Sequence, residues 1–142
     1  PAWDAIAARA ATPLVQVTFE DWVPITELAG RIGASDLCLG VFGVGDKTNR
    51  VIPNKVYQSL ACDRPVITMQ AAAYPDELRQ SNSGLLWVPA GDPQAIATAL
   101  AQAFSSELVA GVDSGVAYAS YQAHFSNQKI RDELAGLLSR LV

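Results

Sequence analysis

The pattern of hydrophobic and polar positions along the chain switches between two periods, which predicts an α/β fold. In the segment LVQVTFEDW (residues 14–22), Val15, Val17 and Phe19 alternate with polar neighbours, and this two-residue period predicts a strand. Continuous apolar runs are typical of buried parallel strands, and three are present: DLCLGVF (36–42), RPVITMQ (64–70) and GLLWVPAG (84–91).

The segments around these strands carry apolar residues at the spacing of amphipathic helices. They are PAWDAIAARAATP (1–13), PITELAGRIGAS (24–35), PNKVYQSLAC (53–62), AAAYPDELRQS (71–81), DPQAIATALAQAFSS (92–106), SELVAGVDSGVAYASYQ (106–122) and NQKIRDELAGLLSRLV (127–142). In the last segment, the leucines at 134, 137, 138 and 141 predict a face that packs on the core. Because strands and helices alternate, the sequence predicts an α/β, Rossmann-like parallel sheet with flanking helices.

Composition and charge narrow the classes of function. Half of the 142 residues are apolar and 17% are charged, which is typical of one compact domain rather than a disordered chain. The net charge of −4 argues against a general binder of nucleic acid or anionic membranes. No apolar run approaches the roughly 20 residues of a membrane span, and no signal peptide is present. We therefore expect a cytoplasmic location.

The cysteines and the histidine offer little chemistry of their own. Cys38 and Cys62 lie in apolar contexts without a metal-ligand partner at useful spacing, so we interpret both as reduced core residues, with a disulfide between them as the alternative. His124 is the only histidine and is interpreted as a surface or helix-end residue. No Asp-x-Asp cluster is present, so we expect no metal site.

A glycine-punctuated loop at residues 43–52 follows the second predicted strand. In open α/β sheets, ligands bind beyond the carboxyl ends of the strands, and Gly43 and Gly45 would permit close approach of the backbone to a ligand. Pro53 suits the first turn of the following helix. This arrangement would leave three amides free to face an anion, those of Asn54, Lys55 and Val56.

Three basic residues in and after this loop, Lys47, Arg50 and Lys55, would add positive charge for a diphosphate. The alternative is a solvated turn without a ligand. Neither the Walker spacing nor the G-x-G-x-x-G fingerprint is present, so spacing alone leaves both interpretations open.

Three longer segments resemble a known family. FEDWVPITELAGRIGASDLCLGVF, SLACDRPVI and GLLWVPAGDPQAIATAL are similar, in this order, to blocks of the C-terminal, donor-binding half of GT-B-type retaining glycosyltransferases. The resemblance implies that a nucleotide-sugar, such as a UDP-, GDP- or ADP-sugar, is the substrate and that no cofactor is needed. It also implies transfer of a hexose to a glycan or lipid-linked acceptor. The alternative is a non-catalytic interaction or assembly module that has kept the fold and lost the donor site.

The resemblance also implies roles for individual residues. Loop 43–52 and the following helix amides would face the diphosphate. The family's E-x7-E pattern falls on Arg50 and Gln58, and Gln58 can still hydrogen-bond the ribose hydroxyls, without charge assistance. Glu77 would close the donor site, or else serve as a carboxylate at a helix N-terminus. The DWVP segment would lie against the nucleobase through Trp22 and Val23, or else Trp22 is a core or surface residue.

Compared with this family, residues 1–142 correspond to a single, partial donor domain. A complete donor domain would begin with two further strands, which would separate LVQVTFEDW from DLCLGVF in the sheet. We therefore expect exposed strand edges, which permit a homodimer by edge pairing. The expected partners are the N-terminal GT-B domain, the nucleotide-sugar and the acceptor. The full-length enzyme would be cytoplasmic or peripheral to the inner membrane.

Overall fold

A computed structural model describes Ala5 and residues 16–80, 82–105 and 114–141. The strands in these ranges are β1 (Cys38–Leu39), β2 (Val66–Met69) and β3 (Leu85–Val88). The helices are α1 (Ile25–Gly33), α2 (Asp46–Arg50), α3 (Asn54–Ala61), α4 (Glu77–Gln80), α5 (Pro93–Ser105), α6 (Val116–His124) and α7 (Asn127–Leu138). All three strands are parallel, in the order β1-β2-β3. The predicted Rossmann-like α/β fold is therefore confirmed.

Strand β2 is the centre of this sheet, and all four of its residues are buried. Its register pairs Cys38 with Val66 on one side, and Val66 with Leu85 on the other. The ladder extends past the end of β1, where the Gly40 amide donates to the Ile67 carbonyl at 2.8 Å. Because β2 has a strand on each side and helices over both faces, all four of its side chains are buried.

Helices cover both faces of the sheet. On one face, Val56 and Leu60 of α3, Leu78 of α4 and Ala117 of α6 pack with β2 residues in the larger core cluster. On the other face, residues of α5 pack against Ile67 and β3. Within the described residues, no helix is long and apolar enough to cross a membrane.

Helix α6 lies close against the start of β3, and a glycine makes this contact possible. Gly84 has φ of +75°, and a Cβ atom built on it would lie 2.7 Å from the Ala117 Cβ. Asp63 fixes the same helix from the turn after α3. Its carboxylate accepts hydrogen bonds from the amides of Gly115 at 2.8 Å and Tyr118 at 2.9 Å. The α6 N-terminus is thus capped by a residue more than fifty positions away in sequence.

The strand predicted at 14–22 is wrong for the part that the structure describes. Residues 16–20 have no strand conformation, and 49% of the Phe19 surface is exposed. A segment with alternating residues forms a strand only where a neighbouring strand completes the hydrogen-bond ladder. None of the three described strands pairs with this segment. The helix predicted at 1–13 and the first part of that at 106–122 fall largely outside the described residues.

The predicted core face of the last helix is also wrong. Leu134, Leu137 and Leu138 are each more than half exposed, and Leu141 is 82% exposed. Helix α7 has no buried residue, because no described element covers its apolar side. Leu39 of β1 is 47% exposed as well, and among the described strands β1 pairs only with β2.

Candidate functional site

Three loops leave the carboxyl ends of the parallel strands and meet at one edge of the sheet. We name them the first loop (residues 40–53, after β1), the second loop (70–76, after β2) and the third loop (89–92, after β3). Main-chain hydrogen bonds join them to one another. The Gly91 amide donates to the Phe42 carbonyl at 2.8 Å, which joins the third loop to the first, and the Ala73 amide donates to the Asn49 carbonyl at 3.3 Å, which joins the second loop to the first. The edge is therefore a connected surface rather than three independent turns.

The first loop contains the short helix α2, which the sequence analysis did not predict. Thr48 shapes the start of this helix. Its hydroxyl lies 2.9 Å from the Gly43 carbonyl and 2.5 Å from the Gly45 carbonyl, so it donates to that pair of acceptors. Its amide also donates to Gly45 at 3.0 Å. Gly43 and Gly45 are exposed at this edge.

Asn49 joins the first loop to the second. Its side-chain Oδ1 accepts a hydrogen bond from the Ala72 amide at 2.9 Å, and its main-chain oxygen accepts one from the Ala73 amide at 3.3 Å. Sequence reasoning assigned no role to Asn49 or Thr48. The available signal was their residue type, since Asn and Thr in turns often bond to nearby backbone groups.

Side chains of β2, β3 and α4 hold the second loop in place. Tyr74 is 3% exposed, shares a 3.4 Å hydrogen bond with Thr68 and packs edge-on against Trp87. Burial raises the pKa of the Tyr74 phenol above its usual value, and the bond to Thr68 opposes this in part. The Arg79 guanidinium donates to the Ala71 carbonyl at 2.7 Å and to the Tyr74 carbonyl at 3.3 Å.

Helix α3 begins directly after the first loop, and its N-terminus points its amides towards this edge. Pro53 is the residue before the helix, with ψ of 144°, and not part of its first turn. The Val56 amide donates to the Pro53 carbonyl at 2.9 Å, so the prediction that this amide is free is wrong. This is a 3₁₀ hydrogen bond, which joins residues three positions apart and tightens the first turn of the helix. Within the described ranges, the amides of Asn54 and Lys55 have no hydrogen-bond partner.

The charged side chains of this region fall into two groups. Arg50 forms an ion pair with Asp46 one turn earlier in α2, and both side chains are largely exposed. Lys47 and Lys55 are exposed, and neither forms an ion pair with the described part of the chain. Gln58 lies on α3, half-buried. The segment therefore carries two exposed lysines, one in the first loop and one in the first turn of α3.

The other residues singled out from the sequence lie outside the first loop. Glu77 is the first residue of α4 and is exposed, directly after the second loop. Trp22 is 78% exposed, and Val23 is half-buried, just before α1. Without a bound nucleobase, Trp22 was expected to be either a core or a surface residue, and the structure supports the surface position. No hydrogen bond or ring contact joins Trp22 or Val23 to the three loops, as far as the structure describes them.

The two cysteines are free thiols in half-buried positions. Burial raises the pKa of the Cys62 thiol, with a smaller contribution from the neighbouring Cys38. His124 is the last residue of α6, in agreement with the predicted helix end.

The comparisons with known proteins bear on this edge directly. A family model described as glycosyl transferases group 1 matches residues 2–106, which is more than half of the chain and includes all three loops. Neither the curated proteins nor the solved structures gave a match. The family match supports a role in glycosyl transfer. The chain belongs to the glycosyl transferases group 1 family.

Proposed function

We propose that this chain is the donor-binding part of a GT-B-type glycosyltransferase, which binds a nucleotide-sugar at the carboxyl edge of the sheet. The hexose would pass from this donor to a glycan or a lipid-linked acceptor. A second domain, N-terminal to this one in the GT-B arrangement, would supply the acceptor contacts. The observation that supports the proposal most is the first loop together with the start of α3, where Lys47 and Lys55 are exposed and two α3 amides have no hydrogen-bond partner among the described residues.

The diphosphate is the part of the donor that this arrangement suits. Helix N-termini favour anions because the amides and the helix dipole both present positive charge there. Lys47 and Lys55 would add charge, and Gly43 and Gly45 would allow a phosphate close to the backbone. When the glycosidic bond breaks, negative charge grows on the leaving diphosphate, so fixed positive groups at this place would lower the barrier.

The remaining contacts follow from the positions of the other candidate residues. Gln58 on α3 would hydrogen-bond the ribose, with Trp22 and Val23 near the base. Glu77 would face the sugar from the start of α4. Arg50 already has a carboxylate partner in Asp46, so it would contribute to the diphosphate only by exchanging that partner.

A second candidate function is a non-catalytic module that has kept the fold. The Asp46–Arg50 ion pair favours it, because the arginine charge is partly neutralised without a ligand. Gln58 favours it as well, since a neutral amide binds a diol more weakly than a carboxylate does.

A binding titration of the 142-residue chain against UDP, GDP and ADP tests the first proposal. We expect binding of one nucleotide, weakened about 5- to 20-fold by Lys55→Ala through loss of one charge-assisted contact. Lys129→Ala is the matched control, because Lys129 lies on α7 and pairs with Glu133 there. Equal effects of the two substitutions, or no binding of any nucleotide, would refute a diphosphate site at the first loop.

Gln58→Glu distinguishes the two candidate functions. If the ribose contact exists, a carboxylate at position 58 should tighten nucleotide binding about 3- to 10-fold. An unchanged dissociation constant would favour the non-catalytic module.

A further inference from the structure

Asn49 holds two consecutive amides of the second loop with two oxygen atoms of one residue. Its Oδ1 accepts from the Ala72 amide at 2.9 Å, and its main-chain oxygen accepts from the Ala73 amide at 3.3 Å. The first of these bonds depends on the side chain, whereas the second would survive any substitution. The side-chain bond therefore determines how tightly α2 and the second loop are joined.

The opposite side of the second loop is also fixed. Arg79 donates from one guanidinium nitrogen to the Ala71 carbonyl at 2.7 Å and the Tyr74 carbonyl at 3.3 Å. The amides of the loop are thus held by α2 and its carbonyls by α4. Since Arg79 lies two residues after Glu77 on α4, the bridge from Asn49 extends through the loop to the helix that carries Glu77.

We propose that Asn49 is a positioning residue, which sets the distance between the first loop and the second loop so that one ligand can contact both. This inference rests on the proposed function, in which the first loop faces the diphosphate and α4 faces the sugar. Asn49 itself touches neither group. Its role is to hold the two halves of the donor site in register before the donor arrives, so that binding does not have to order them.

The proposal makes a specific prediction about which ligands are affected. Of the two loops, a nucleoside diphosphate contacts only the first, whereas its hexose conjugate contacts both. The useful quantity is therefore the ratio of dissociation constants, diphosphate over sugar conjugate, for each variant. A loosened second loop lowers this ratio, whereas a general loss of stability changes both constants alike.

The test is a titration of the 142-residue chain and its variants with three pairs of probes. The pairs are UDP and UDP-glucose, GDP and GDP-mannose, and ADP and ADP-glucose. For the pair that binds, Asn49→Ala should lower the ratio about 3- to 10-fold, the size expected for one lost hydrogen bond. Asn49→Asp keeps an acceptor at Oδ1, so both probes should weaken through charge repulsion while the ratio stays near that of the unmodified chain.

Asn82→Ala is the matched control. Asn82 is an exposed asparagine before β3, at the other edge of the sheet, and the ratio should not change. An unchanged ratio in Asn49→Ala, or an equal loss for both probes, would overturn the positioning role and leave the donor site in place. Absence of binding by the unmodified chain would overturn the proposed function and this inference together.

Discussion

Replacing Asp63 tests how a contact distant in sequence fixes α6 on the sheet. The carboxylate accepts from the amides of Gly115 at 2.8 Å and Tyr118 at 2.9 Å, which are among the unsatisfied donors at the start of a helix. Asp63 also has φ of +54°, a conformation that aspartate and asparagine adopt more readily than alanine. Two separate costs should therefore appear when the residue is changed.

Their magnitudes predict an order of stability. Loss of a capping side chain costs about 1 kcal/mol, and an ordinary residue in the left-handed region costs about 1–2 kcal/mol. We expect the free energy of unfolding to fall by about 2–3 kcal/mol in Asp63→Ala, which incurs both costs. Asp63→Gly incurs mainly the first, about 1 kcal/mol, and Asp63→Asn should lose about 0.5–1 kcal/mol because one acceptor oxygen remains.

Urea unfolding followed by circular dichroism measures these differences, and thermal unfolding gives a second estimate. For a domain of this size, each kcal/mol should lower the Tm by about 3–5 °C. If the alanine and glycine variants are equally stable, the argument from backbone conformation fails. If all three variants match the unmodified chain, the carboxylate does not cap α6.

Two further substitutions test close packing and burial. Gly84→Ala should destabilise the chain by about 3 kcal/mol or more, because the new Cβ would lie 2.7 Å from the Ala117 Cβ at φ of +75°. Gly115→Ala isolates the conformational part, since it has φ of +79° and nothing within 4 Å, and equal losses in urea unfolding would refute the packing argument. Tyr74 predicts a pH effect: burial raises its folded-state pKa above the usual 10.0, so its stabilising contribution is complete below that value and is lost as the pH rises through the folded pKa. Tyr74→Phe should therefore weaken the fall in stability that begins as the pH rises above about 10, and an unchanged fall in urea unfolding at that pH would contradict this account.

The candidate site shows where sequence reasoning succeeds and where it stops. The first loop could be found because glycines, basic residues and a proline before a helix are local signals in one segment. The bridge from Asn49 to Ala72 and Ala73 could not be found in this way. It joins two loops that come together only because β1 and β2 are adjacent in the sheet.

The free amides give a second instance. Sequence reasoning counted three at the start of α3, but the turn at Pro53 uses the amide of Val56. A proline fixes its own φ and not the geometry of the next three residues, so this detail depended on the local backbone.

The sequence by itself determined the α/β class, the three apolar strands and the family, because these depend on periodicity and on short segments in a fixed order. Only the tertiary structure decided which predicted surfaces have partners. The alternating residues 16–20 form no strand, and the leucines of α7 remain exposed. An amphipathic pattern indicates which side of a helix or strand can be buried. Whether that side is buried depends on a neighbour elsewhere in the fold. Asp63 and α6 show a contact that does form in this way, between residues far apart in sequence.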